Sequence, residues 1–144
     1  MPGNKLYRIT RIMDTLKGYW YFGNIAQIKY HLGLSDKYLV EAKTLMEYKQ
    51  FLLGTDALRR SDKEFGELPA YVAGAKKEHI DVTQFQQLIA AAADKHVELL
   101  TGLLQNVPNQ FTWTPEKSTP TELPLGGMIK TSVGIRHNIA SWNP

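Results

Sequence analysis

Four histidines, His31, His79, His96 and His137, are the residues of this chain best suited by type to acid–base or metal chemistry. Their spacing argues against both uses. They are scattered, without the short intervals of a metal-binding pair, and His96 sits among apolar residues of a long helical pattern, where a packing or interface role is expected. The absence of cysteine removes disulfides, thiolate metal sites and cysteine nucleophiles together, and suits a reducing compartment. No Gly-rich loop ending in Lys-Ser/Thr occurs, nor a Gly-x-Ser-x-Gly elbow, nor a His-Glu-x-x-His pair. Gly126-Gly127 reads as a turn. Carboxylates distant in the chain can converge for hydrolysis, but nothing in the sequence selects a pair. No enzyme activity, cofactor or metal is therefore expected.

The cations carry more information. The net charge is only +3, but Met1 to Lys63 holds 11 Lys and Arg against 6 Asp and Glu, whereas Glu64 to Pro144 holds 6 against 8. The first half is thus basic and the second slightly acidic, which points to an anionic partner for the first. The pair Arg59-Arg60 with Lys63 lies in a polar stretch, Thr55 to Lys63, that reads as a basic loop.

The elements that would position these residues follow from periodicity. At 144 residues and 43% hydrophobic, the chain is one ordinary domain, or a small domain with an oligomerisation arm. Leu6, Ile9, Ile12, Met13 and Leu16 recur at helical spacing, and Tyr19-Trp20-Tyr21-Phe22 suits a short strand. Ile25, Ile28 and Leu32 mark a second helix, ended by Gly33. Ser35 caps a third, with Leu39, Ala42, Leu45 and Met46 inward. Phe51-Leu52-Leu53 and Leu68 to Ala73 suit strands on either side of the basic loop. A long helix spans about Val82 to Gln105, capped by Asp81 or Thr83. Its polar stripe of Gln87, Asp94, Glu98, Thr101 and Gln105 leaves a wide apolar arc from Phe85 to Leu104. From Pro108 the prolines break helical pattern, so a loop-rich tail is expected, with one strand over Met128 to Ile135 and Trp113 and Trp142 as apolar anchors. The N-terminal segment lacks the unbroken apolar run of a signal peptide, and no window is long enough to span a membrane. A cytoplasmic protein without membrane contact is expected.

The span Ile28-Lys29-Tyr30-His31-Leu32-Gly33-Leu34-Ser35-Asp36-Lys37-Tyr38-Leu39-Val40-Glu41-Ala42 resembles the helix-turn-helix of bacterial transcription regulators. Taken with its flanking elements, Arg8 to about Ala73 is similar to winged-helix regulators of the MarR or ArsR kind. It departs from them at Lys29, where they usually place a small residue.

The resemblance implies a mainly α fold with a small β wing. Residues 1–75 would form a winged helix-turn-helix, 76–107 a long oligomerisation helix and 108–144 a loop-rich tail. The implied function is a homodimeric DNA-binding transcription regulator. Ser35, Lys37, Tyr38, Glu41 and Thr44 would lie in the recognition helix, with Arg59, Arg60 and Lys63 on the phosphates. The alternative is an oligomeric structural or assembly protein, for example of a virus and with a part in DNA packaging, that uses the long helix and tail for protein contacts.

Overall fold

The computed structural model describes residues 23–142, and the expected first helix (Leu6 to Leu16) and aromatic strand (Tyr19 to Phe22) lie outside them. The described chain is mainly helical: α1 (Gly23–Glu47), α2 (Phe51–Gly66), α3 (Leu68–Lys77), α4 (Thr83–Asn106) and α5 (Leu125–Ala140). Between α4 and α5, β1 (Phe111–Trp113) and β2 (Thr121–Leu123) pair antiparallel, with Phe111 opposite Leu123.

The two longest helices, α1 and α4, have 25 and 24 residues, about 36 Å each at 1.5 Å per residue. The inward positions of α4 are Ile89, Ala93, His96, Leu100 and Leu103, a strict four–three alternation. The repeat continues in α5 through Leu125, Ile129, Ser132 and Arg136, and in α1 through Ile28, Leu32, Ser35, Leu39, Ala42 and Met46. This spacing keeps one seam of each helix facing its neighbours, as in helical bundles. Helices α1 and α2 form one antiparallel hairpin, with Ser35 beside Ser61 and His31 beside Glu64. Helices α4 and α5 form the other, with Leu125 and Ile129 packed in the same cluster as Leu100 and Leu103. The hairpins dock with α1 against α4 and α2 against α5.

Short α3 continues the path of α2 along α1 after a break, where Pro69 falls in its first turn. There proline's missing N–H falls among groups that lack helical partners anyway, whereas a continuous helix would lose a hydrogen bond and clash with the carbonyl four residues back. Tyr71 of α3 stacks on His31, ring centroids 5.0 Å apart, and Glu78 accepts a hydrogen bond from Asn24 Nδ2 at 3.2 Å.

Five expected features take a different form. No turn falls at Gly33: α1 runs unbroken from Gly23 to Glu47, and the only positive-φ glycine among the described residues is Gly23. A glycine inside a helix costs about 1 kcal/mol relative to alanine, too little to break a helix whose inward seam keeps its phase on both sides. The expected strand Phe51–Leu53 and the basic loop Thr55–Lys63 together form most of α2. The strand expected over Leu68 to Ala73 is α3, and the one over Met128 to Ile135 lies within α5. In each case tertiary burial of a seam overrides local turn and strand propensity. The core accordingly draws on all three expected segments.

Candidate functional site

Apart from Thr55, whose hydroxyl donates to the Leu52 carbonyl of its own helix at 2.9 Å, the inward seams of the long helices carry polar residues at one level. One cluster, including Leu39, Ala42, Met46, Leu58, Leu100 and Ile129, fills the end of the bundle near the α1–α2 turn. A second, including Ile28, Leu32, Phe65, Val72, Ile89 and Ala93, fills the other end. Between them every long helix contributes polar groups: Ser35 and Asp36 from α1, Ser61 and Asp62 from α2, His96 from α4, Ser132 and Arg136 from α5.

Arg136 is the centre of this layer and is fully buried. Its Nη1 donates to Asp62 and, at 3.3 Å, to the Ser132 carbonyl. Its Nη2 donates to Ser61 Oγ at 2.8 Å, and its Nε to His96 Nδ1 at 3.3 Å. A guanidinium has no acceptor, so Nδ1 of His96 must accept, and the imidazole proton on Nε2 is given to Asp36. Burial pushes the Arg136 pKa down from its ordinary value, and Asp62 beside it opposes the change, with Asp36 adding a smaller opposing effect. Arginine keeps its charge at any relevant pH. Ser35 and Ser61 each donate to the other's backbone carbonyl, at 2.9 and 2.7 Å, which ties α1 to α2 with two small side chains. Phe65 forms an apolar floor, 5.2 Å below the guanidinium and 5.3 Å from the His96 ring. No buried side-chain polar atom among the described residues lacks a partner.

The layer has the residue types of a catalytic site but not the geometry. A general base needs one imidazole nitrogen facing a substrate, and both nitrogens of His96 are engaged by protein groups. Among the described residues no group of three or more His, Asp or Glu is placed to hold a metal ion.

The residues expected to touch DNA divide between the inside and the outside. Ser35 is fully buried in the polar layer and presents nothing to a partner. That is a correction to its expected role, because the seam that continues through Gly33 turns this position inward. Lys37, Glu41 and Thr44 are exposed on α1, and Arg59, Arg60 and Lys63 on α2. Tyr38, half-buried between them, has Lys37 Nζ 5.9 Å and Arg60 Cζ 5.9 Å from its ring centroid, so the two stripes belong to one face of the hairpin. Asp56 pairs with Arg60 at 3.0 Å in solvent, and Thr44 donates to the Val40 carbonyl at 2.9 Å.

Sequence reading did not identify Asp36, Asp62, Ser61, Ser132 or Arg136 as a group. The detectable signal is that Ser61, Ser132 and Arg136 fall on buried helical seams, with Asp36 and Asp62 each next to a seam serine.

At the far end of the bundle a shallow hollow is lined by Pro69, Val72, Ile89, Ile139 and Trp142, among others. No helix among the described residues is long and apolar enough to cross a membrane. Compared with protein-family models, curated proteins and solved structures, the chain matches none.

Proposed function

We propose that this protein binds duplex DNA through the exposed face of the α1–α2 hairpin. The observation that carries the reading is that Lys37 and Arg60 meet over the Tyr38 ring, with Arg59 and Lys63 exposed on the same helix as Arg60. On α2 the three cations follow Asp56 at helical spacing, i, i+3, i+4 and i+7, which sets them along one line. Such a line of fixed charge on a rigid helix suits contact with a phosphate backbone, where each neutralised phosphate releases condensed counterions. Glu41 and Asp56 reduce the charge of the face, and a glutamate can accept from a cytosine amino group.

A homodimeric winged-helix transcription regulator is the narrower form of this proposal and draws on the resemblance of Ile28 to Ala42 to a helix-turn-helix. The broader form requires no turn at Gly33 and is the one carried forward. Its test is fluorescence anisotropy of a labelled random duplex titrated with protein at several salt concentrations. The proposal expects log affinity to fall linearly with log salt. The double variant Arg59→Ala/Arg60→Ala should bind all duplexes more weakly, with the slope reduced by about one unit per lost contact. An unchanged slope in the double variant removes the face from the contact.

A second reading, protein assembly, draws on exposed apolar side chains at one end of the bundle. Tyr48 is 76% exposed, Leu53 56% and Trp113 39%, and β1 is brought to this end by Phe111 against Phe51, ring centroids 4.8 Å apart. Exposed aromatic and aliphatic groups gathered in this way are a feature of contact surfaces.

A further inference from the structure

The buried polar layer is too well made to be incidental, yet buried ion pairs seldom add net stability over well-packed apolar residues. We propose that the Asp62–Arg136–His96 layer fixes the register in which the α4–α5 hairpin docks on the α1–α2 hairpin. Four–three seams repeat every seven residues, so an all-apolar bundle can slide one helix past another by a heptad, about 10 Å, and still mate apolar surface with apolar surface. In this chain each of the four long helices places polar groups at the same level, with apolar clusters above and below. A one-heptad slip would carry Arg136 against Leu39 and Leu58, or against Phe65 and Val72, as an unpaired buried charge. It would also separate Asp62 from Arg136 and Asp36 from His96.

The hydrogen bonds and ion pairs that cross between the hairpins at this level each have one specific partner group. Asp62 receives both Arg136 and, at 2.7 Å, Ser132 Oγ, and Asp36 receives His96. The serine contacts within each hairpin survive removal of the charges. Ser35 and Ser61 bond to each other across α1 and α2, and Ser132 Oγ also reaches the Met128 carbonyl at 3.2 Å. The three residues can therefore be made apolar together without stranding the serines.

The chain has no cysteine, so spin labels can be placed at will. With labels at Lys63→Cys on α2 and Lys130→Cys on α5, both exposed, pulsed dipolar spectroscopy of the parent should give one narrow distance. The triple variant Asp62→Leu/His96→Leu/Arg136→Met should fold with a thermal midpoint no lower than the parent's. It should show two or more distance populations separated on the scale of a heptad step. Arg136→Met alone, which leaves Asp62 and His96 facing an apolar group, should melt well below the parent and below the triple variant. A triple variant with the parent's single narrow distance overturns the proposal, because apolar shape alone would then set the register. A triple variant that fails to fold, or melts below Arg136→Met, also overturns it, because the layer would then supply stability rather than register.

Discussion

Single residues show where this chain departs from the commonest local solutions. Lys49 and His79 both adopt the left-handed conformation, φ 60°, at the second residue past the ends of α1 and α3. In each case the next residue's N–H reaches back five positions: Gln50 to the Leu45 carbonyl at 2.8 Å, Ile80 to the Ala75 carbonyl at 3.1 Å. This is the helix-ending arrangement that glycine usually occupies. Lys49→Gly and His79→Gly should each raise the unfolding free energy by about 0.5–1 kcal/mol, by relief of the left-handed strain, as read by urea denaturation. Gly54 is glycine for a different reason. A Cβ there would lie 2.7 Å from Met46 Cγ, and Gly54→Val should cost about 1–3 kcal/mol by overpacking the α1–α2 contact.

Asp81 accepts the Thr83 backbone N–H at 3.0 Å, and this bond, helped by the Thr83 hydroxyl, holds its carboxyl below the ordinary aspartate range. The stabilisation it lends the start of α4 is therefore present above the ordinary aspartate pKa and is lost as pH falls through the depressed one. A carboxyl-detected titration placing Asp81 at or above the ordinary value would contradict this.

Elements were legible in the sequence where their seams are apolar, and illegible where the seams are polar. The long helix α4 could be read because Ile89, Ala93, Leu100 and Leu103 are apolar, and its expected polar stripe at Gln87, Asp94, Glu98, Thr101 and Gln105 is exposed throughout. The stretch Thr55 to Lys63 looks like a loop because it is polar and ends in the turn-like Ser61-Asp62-Lys63, yet Thr55 and Ser61 are fully buried. Helix α5 was hidden by Gly126-Gly127, by β-branched residues and by two polar seam positions, Ser132 and Arg136. At Gly33 local turn chemistry suggested an end, but the seam from Ile28 to Met46 keeps its phase across the glycine, as no turn would allow. Hydrogen exchange tests this directly. The amides of Ser35 to Leu39 should be as protected as those of Leu39 to Met46, since all are interior helical donors. Fast exchange confined to residues 33–37 would restore a turn there.

The molecule as a whole combines a neutral-looking composition with charges sorted by depth. Arg136 is committed to the interior, whereas Lys37, Arg59, Arg60 and Lys63 are left at the surface. The wide arc of α4 that suggested a dimer is covered in large part by the chain's own α5 and α1, though Leu88 stays 46% exposed. Light scattering at micromolar concentration distinguishes the states. A dimer keeps the homodimeric form of the proposal, and a strict monomer confines DNA contact to one hairpin face per molecule.

The most direct measurement is an amide chemical-shift map of the protein titrated with a short random duplex at low salt. The account predicts shifts concentrated at Lys37, Tyr38, Arg59, Arg60 and Lys63 and fading as salt is raised, with Gln87, Asp94, Glu98 and Gln105 of α4 unmoved. Shifts centred on the α4 stripe, or no shifts at protein and duplex concentrations of hundreds of micromolar, would contradict it.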